Sequence, residues 1–153
     1  MLYDILRSLH VLAIIVWVGG MVLMHFIVRP TVAELLEPPQ RLPLMARLLG
    51  RFFAWVTVAV VVVLVTGVAM MRLIETGGPT PAVYLHVMMG IGIVMALIFG
   101  WIRLSEYPRL RHAVSTAALP VAAASLSRIR RLVALNLALG VLTTLIAMLG
   151  RSL

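Results

Sequence analysis

Four apolar runs, each about twenty residues long and each bounded by arginine, constrain this chain more than any other feature. The first spans about Ile5 to Val28 and meets Arg29-Pro30. The second, Phe52 to Met71, lies between Arg51 and Arg72. The third, about Ala82 to Ile102, follows the breaker Gly77-Gly78-Pro79-Thr80-Pro81, and the fourth, about Leu132 to Leu149, lies between Arg131 and Arg151. At about 1.5 Å of rise per residue, each is long enough as a helix to cross a hydrocarbon layer of about 30 Å. Inside such a layer the backbone must satisfy its own hydrogen bonds, which leaves helices or a closed barrel, and continuous apolar runs exclude the alternating pattern of a barrel strand. Only 12% of residues are charged, about half of what an ordinary soluble domain carries. The fold class is therefore all-α integral membrane: one domain over residues 1–153, a four-transmembrane-helix up-down bundle.

Arginine placement sets the orientation. The ends after the first and third runs hold Arg29, Arg41, Arg47, Arg51, Arg103, Arg109, Arg111, Arg128, Arg130 and Arg131, and the other ends hold only Arg7, Arg72 and Arg151. The positive-inside rule puts the rich side in the cytoplasm and both termini in the periplasm or outside. The expected location is a bacterial inner membrane, crossed several times. The first run reads as a retained helix and not as a leader, because it is longer than a signal peptide's apolar core and no small-x-small cleavage pattern follows it. The two arginine-rich segments, Thr31–Gly50 and Arg103–Arg131, mix Arg with Leu as interfacial helices do. The part after Pro120 is expected to prolong the fourth helix below the membrane.

Several chemistries are absent. With no cysteine, disulfides, thiolate zinc, iron–sulfur clusters and cysteine nucleophiles are excluded. The net charge of +8 comes from arginine alone, and its position reports topology and anionic lipid, not nucleic acid. No catalytic triad, phosphate loop or carboxylate pair occurs. Histidine and methionine remain as metal ligands.

An ionisable residue inside a span is costly and marks a site. Helical spacing puts His10, Ile14, Trp17, Met21, Met24 and Val28 on one face of the first span, with His25 at its edge, and His86, Met89, Gly90, Ile93 and Leu97 on one face of the third. Counted from the span ends, His10 and His86 lie roughly 6–8 Å below the same surface, and His25 lies roughly 22 Å from His10 along the axis. His10 and His86 are thus expected to face one another across the bundle, with His25 an interface residue.

Two imidazoles at matched depth on parallel helices suit the axial positions of a b-type haem. On that reading Gly90 makes room for the macrocycle, Trp17, Met21 and Met89 pack its edge, and Arg7 and Arg72 pair with its propionates. The role would be electron transfer or that of a membrane haem oxidoreductase, with a quinone or a periplasmic redox protein as partner. The rival is a copper ion held by His10, His86 and Met89, with Met21, Met24 and His25 as a deeper set, a ladder for copper permeation with a periplasmic copper partner. A structural protein without cofactor, and assembly as a homo-oligomer in the lipid bilayer, complete the expectations. Asn136, Gly140, Thr143, Ala147 and Gly150 form a small, polar stripe on the fourth span, expected to pack closely, with Asn136 bonding across the bundle.

Four stretches, LHVLAIIVWVGGMVLMHFIVRP, RLPLMARLLGRFFAWVTVAVVVVLVTG, YLHVMMGIGIVMALIFGWIRL and RIRRLVALNLALGVL, together resemble the CopD (copper-resistance protein D) family. The resemblance covers all four spans in order and implies a four-span domain concerned with copper uptake from the periplasm. A more distant resemblance is to HemJ, the haem-binding protoporphyrinogen oxidase, carried by Leu9-His10, by Trp17-Val18-Gly19-Gly20 and by Leu85-His86. It implies haem binding at His10 and His86. Met88 stands where that family has lysine, and the Asn-Glu-x-Pro ending is missing.

Overall fold

The computed structural model describes residues 1–77 and 82–150. Four helices carry them: α1 (Leu2–Leu35), α2 (Pro38–Thr76), α3 (Val83–Ser115) and α4 (Leu119–Leu149). All four are long and apolar enough to span a membrane, and no strand occurs among the described residues. The breaker residues Gly78-Pro79-Thr80-Pro81, and Arg151, lie outside the described set.

Every helix runs beyond its apolar stretch at the arginine-rich end. Arg29-Pro30 does not stop α1, and Pro108 does not stop α3. The reason is local. Leu23–Val28 and Ile102–Glu106 are π-helical, so Arg29 N–H reaches back five residues to Met24 O, and Tyr107 N–H reaches back five to Ile102 O. The next residue in each case is the proline. A proline in an α-helix lacks a donor and its ring strikes the carbonyl four residues back. The wider turn just before it lifts both conflicts, and the helix resumes. The arginine-bearing stretch LPLMARLLGR, in and just after the segment Thr31–Gly50, is a continuous part of α2. The expected downward extension of the fourth helix is present, since α4 starts at Leu119 with Pro120 in its first turn. The turn between α3 and α4 needs Ala117 at φ 52°, a left-handed conformation uncommon outside glycine.

The helices pair as two antiparallel hairpins, α1 on α2 and α3 on α4. The hairpins meet in the arginine-rich half. There Phe53 of α2, 1% exposed, stacks edge-on against Phe99 at 5.8 Å and Tyr107 at 5.4 Å, both on α3. Trp17 of α1 adds an edge contact to Phe99 at 6.4 Å. Leu42, Leu110, Ala122 and Ile129 close the layer below. Lipid tails are as apolar as these side chains, so packing fit and not water exclusion holds such helices together. Close approach depends on glycine: a methyl on Gly140 would sit 2.9 Å from Val18 Cγ2 and 3.2 Å from Met95 Cε, and one on Gly50 would collide with the Tyr107 hydroxyl. In the other half the packing thins. No residue of α3 before Met95 is buried, nor any described residue beyond Gly140 at the end of α4.

Candidate functional site

The polar groups of the bundle fall at three levels. Nearest the arginine-poor end is His10 on α1. Its Nδ1 lies 2.8 Å from Thr66 Oγ1 on α2, and Thr66 is itself buried. Gly67 beside it leaves the ring room, since a Cβ there would touch His10 Cε1 at 3.4 Å.

Thr66 Oγ1 also lies within hydrogen-bonding distance of the Val62 carbonyl on α2, with Val63 O at 3.3 Å. A hydroxyl that donates its one proton there offers His10 a lone pair, and a neutral imidazole with its hydrogen on Nδ1 then keeps the lone pair of Nε2. This is how metal-ligating histidines are commonly prepared: one ring nitrogen donates to a neighbour, which sets the tautomer and raises the basicity of the other.

The middle level is Asn136 on α4. Its Nδ2 donates to the Met95 carbonyl on α3 at 3.2 Å, the cross-bundle bond the sequence suggested. Its Oδ1 is buried without a hydrogen-bond partner. Trp17 and Met21, each 2% exposed, belong to this same packed centre.

The third level, at the arginine-rich end, is Glu106. It is 3% exposed, and its Oε1 lies 3.3 Å from Arg109 Nη1 and 3.8 Å from Arg128 Nη1. The contact to Arg128 joins α3 to α4. Next to it, the Tyr107 hydroxyl donates to the Ala46 carbonyl of α2 at 3.3 Å.

The structure does not bring His86 to His10. His86 is exposed on α3 with Met89 and Gly90, on the face opposite Met95 and Phe99, which are buried. Gly90 has nothing within 4 Å of a Cβ position, so it makes no slot between helices. His10 is eight residues from the start of α1 at Leu2 and His86 three from the start of α3 at Val83, about 12 Å of rise against about 5 Å. The expected matched pair rested on a first span starting at Ile5 and on an inward-facing His86. Arg7 and Arg72 are exposed, and Trp17 and Met21 pack the core away from His86 and Met89. His25 is half-buried at the other end against Phe26, ring centroids 4.8 Å apart. Among the described residues, no three of His, Cys, Asp and Glu gather as a metal site.

Thr66 and Gly67 were not singled out in the sequence. The signal available was a polar and a small residue interrupting the run VVVVLVTG, which helical spacing alone does not connect to His10 on another helix.

No curated protein and no solved structure matches the chain. Residues 46–149, two-thirds of the sequence, match the family described as copper resistance protein D. They include Thr66, His86, Glu106 and Asn136, and exclude His10. With four spanning helices, this multi-pass membrane protein belongs to the copper resistance protein D (CopD) family.

Proposed function

We propose that this protein handles copper in a bacterial inner membrane, taking Cu(I) as its substrate at the arginine-poor, periplasmic end, with His10 as the central ligand. The observation that carries the reading is the 2.8 Å contact of His10 Nδ1 with Thr66 Oγ1, which favours the tautomer that keeps Nε2 for a metal. Neutral imidazole and thioether are ligands suited to Cu(I), and binding through Nε2 releases no proton. His86 and Met89 lie one helical turn apart on the exposed face of α3, nearer the helix end than His10. In this reading they are a separate surface pair and share no ligand set with His10. A haem shared by His10 and His86 within one chain finds no support, because the two rings do not share an interior.

The test is Cu(I) binding by competition with a chromogenic chelator, on protein purified in nanodiscs. His10→Ala is expected to weaken binding at least tenfold. Thr66→Val, which keeps the shape but removes the acceptor for Nδ1–H, should weaken it by about ten- to a hundred-fold, the usual cost of losing such a support. Thr66→Ser should restore most of it. Undiminished binding in the His10→Ala/His86→Ala double variant would overturn the assignment. An absorption spectrum of the same sample decides the cofactor question: a Soret band that shifts with dithionite would return the protein to haem.

A further inference from the structure

The arginine-rich end divides into two chemically different parts. In one, Glu106 supplies a carboxylate to Arg109 and Arg128. In the other, Arg29 on α1, Arg41 in the first turn of α2 and Arg130 on α4 have none. Among the described residues the ion pairs are those of Glu106 and the contact of the N-terminal amine with Asp4. Glu34 and Glu37, the acidic residues nearest in sequence, are exposed and take no part in an ion pair.

Packing brings these three cations to one corner. The end of α1, Arg29–Leu35, lies on α2, and the π-helical stretch Leu23–Val28 just before it lies on α4. Arg41 precedes Leu42 and Arg130 follows Ile129, each of these neighbours 1% exposed, so both arginines spring from firmly held backbone. Arg29 is half-buried and feels the charges of Arg130 and Arg41 together. Arg41 also stands at the N-terminal end of a 39-residue helix, where the helix dipole adds positive potential. Three neighbouring like charges without a counter-charge from the protein repel one another, and an anion joining them offsets that repulsion. Guanidinium groups match the oxygens of a phosphate in paired hydrogen bonds. The corner lies just past the apolar run that ends at Val28, at the depth of lipid headgroups.

We propose that Arg29, Arg41 and Arg130 form a binding site for a phosphate-type anion, either the headgroup of an anionic phospholipid or a free phosphate. The site is separate from the copper reading and stands or falls without it.

The test uses full-length protein in detergent, supplied with phosphatidylglycerol, phosphatidylcholine or inorganic phosphate. Bound lipid is counted by native mass spectrometry and stabilisation is read as melting temperature. If the source is lipid, phosphatidylglycerol is retained over phosphatidylcholine, and Arg29→Gln/Arg41→Gln/Arg130→Gln loses about tenfold or more of that preference, the scale of one charged hydrogen bond. If the source is free phosphate, millimolar phosphate raises the melting temperature without anionic lipid, and the triple variant loses the rise. Arg111→Gln, exposed and outside the cluster, changes neither. Should the triple variant not fold, Arg41→Gln and Arg130→Gln are each expected to weaken the response severalfold. Lipid retention and phosphate response equal to those of Arg111→Gln overturn the site.

Discussion

Asn136 shows how a single residue in a membrane core is both tied and under-used. Its amide hydrogen meets Met95 O, while Oδ1 lies buried with no donor. A hydrogen bond between membrane helices is worth only about 0.6 kcal/mol on average, and a buried acceptor without a partner costs about 1–3 kcal/mol. The second term outweighs the first. Asn136→Leu, with the same branched shape and larger methyl ends, is therefore expected to melt at or above the wild-type temperature in detergent. Asn136→Ala should melt lower, because the space it leaves lies in the packed centre beside Trp17 and Met21. A Leu variant less stable than the Ala variant would show that Oδ1 has a partner, such as an ordered water. His10 is the contrasting case: its Nδ1 meets a side-chain partner, Thr66 Oγ1, at 2.8 Å.

At the scale of elements, the seam between α2 and α3 is fixed by one glycine and one tyrosine. Gly50 lets the Tyr107 hydroxyl sit against its Cα and reach Ala46 O one turn earlier. Gly50→Ala puts a methyl into that oxygen, which is expected to cost about 1–3 kcal/mol by overpacking. Tyr107→Phe removes the oxygen and should recover part of the loss. The double variant is then more stable than the sum of the singles predicts, a coupling that a thermal-melt cycle measures. The proline-bearing elements follow a second local rule. Pro30 and Pro108 each follow a five-residue hydrogen bond, so both prolines sit at joints within continuous helices.

The whole molecule is asymmetric from end to end. One half is packed by Trp17, Phe53, Phe99 and Tyr107, and the other holds His10 against Thr66 while the start of α3 stays exposed. The orientation of that asymmetry is testable because the chain has no cysteine. A single Gln40→Cys, at the arginine-rich end, should resist a membrane-impermeant maleimide in intact cells, whereas Glu75→Cys at the other end should react. Both positions are exposed. The reverse pattern would place His10 on the cytoplasmic side and remove the periplasmic copper reading.

The amino-acid sequence by itself determined four helices, their spanning length and the gathering of arginine at one end, because apolar run length and charge placement are properties of consecutive residues. It also exposed Asn136 as a cross-bundle donor, since a lone amide among small residues has few other uses. Tertiary structure decided what two separate helices do to each other. Helical spacing grouped His86 with Met89 and Gly90 correctly but could not say that their face turns outward, because a lipid-facing stripe and a core-facing stripe are equally apolar in a membrane. It singled out His10 without showing Thr66 as its partner, which depends on the register of α1 on α2. Arg29, Arg41 and Arg130 lie in three separate segments, and only the packing of three helix ends makes them one cluster.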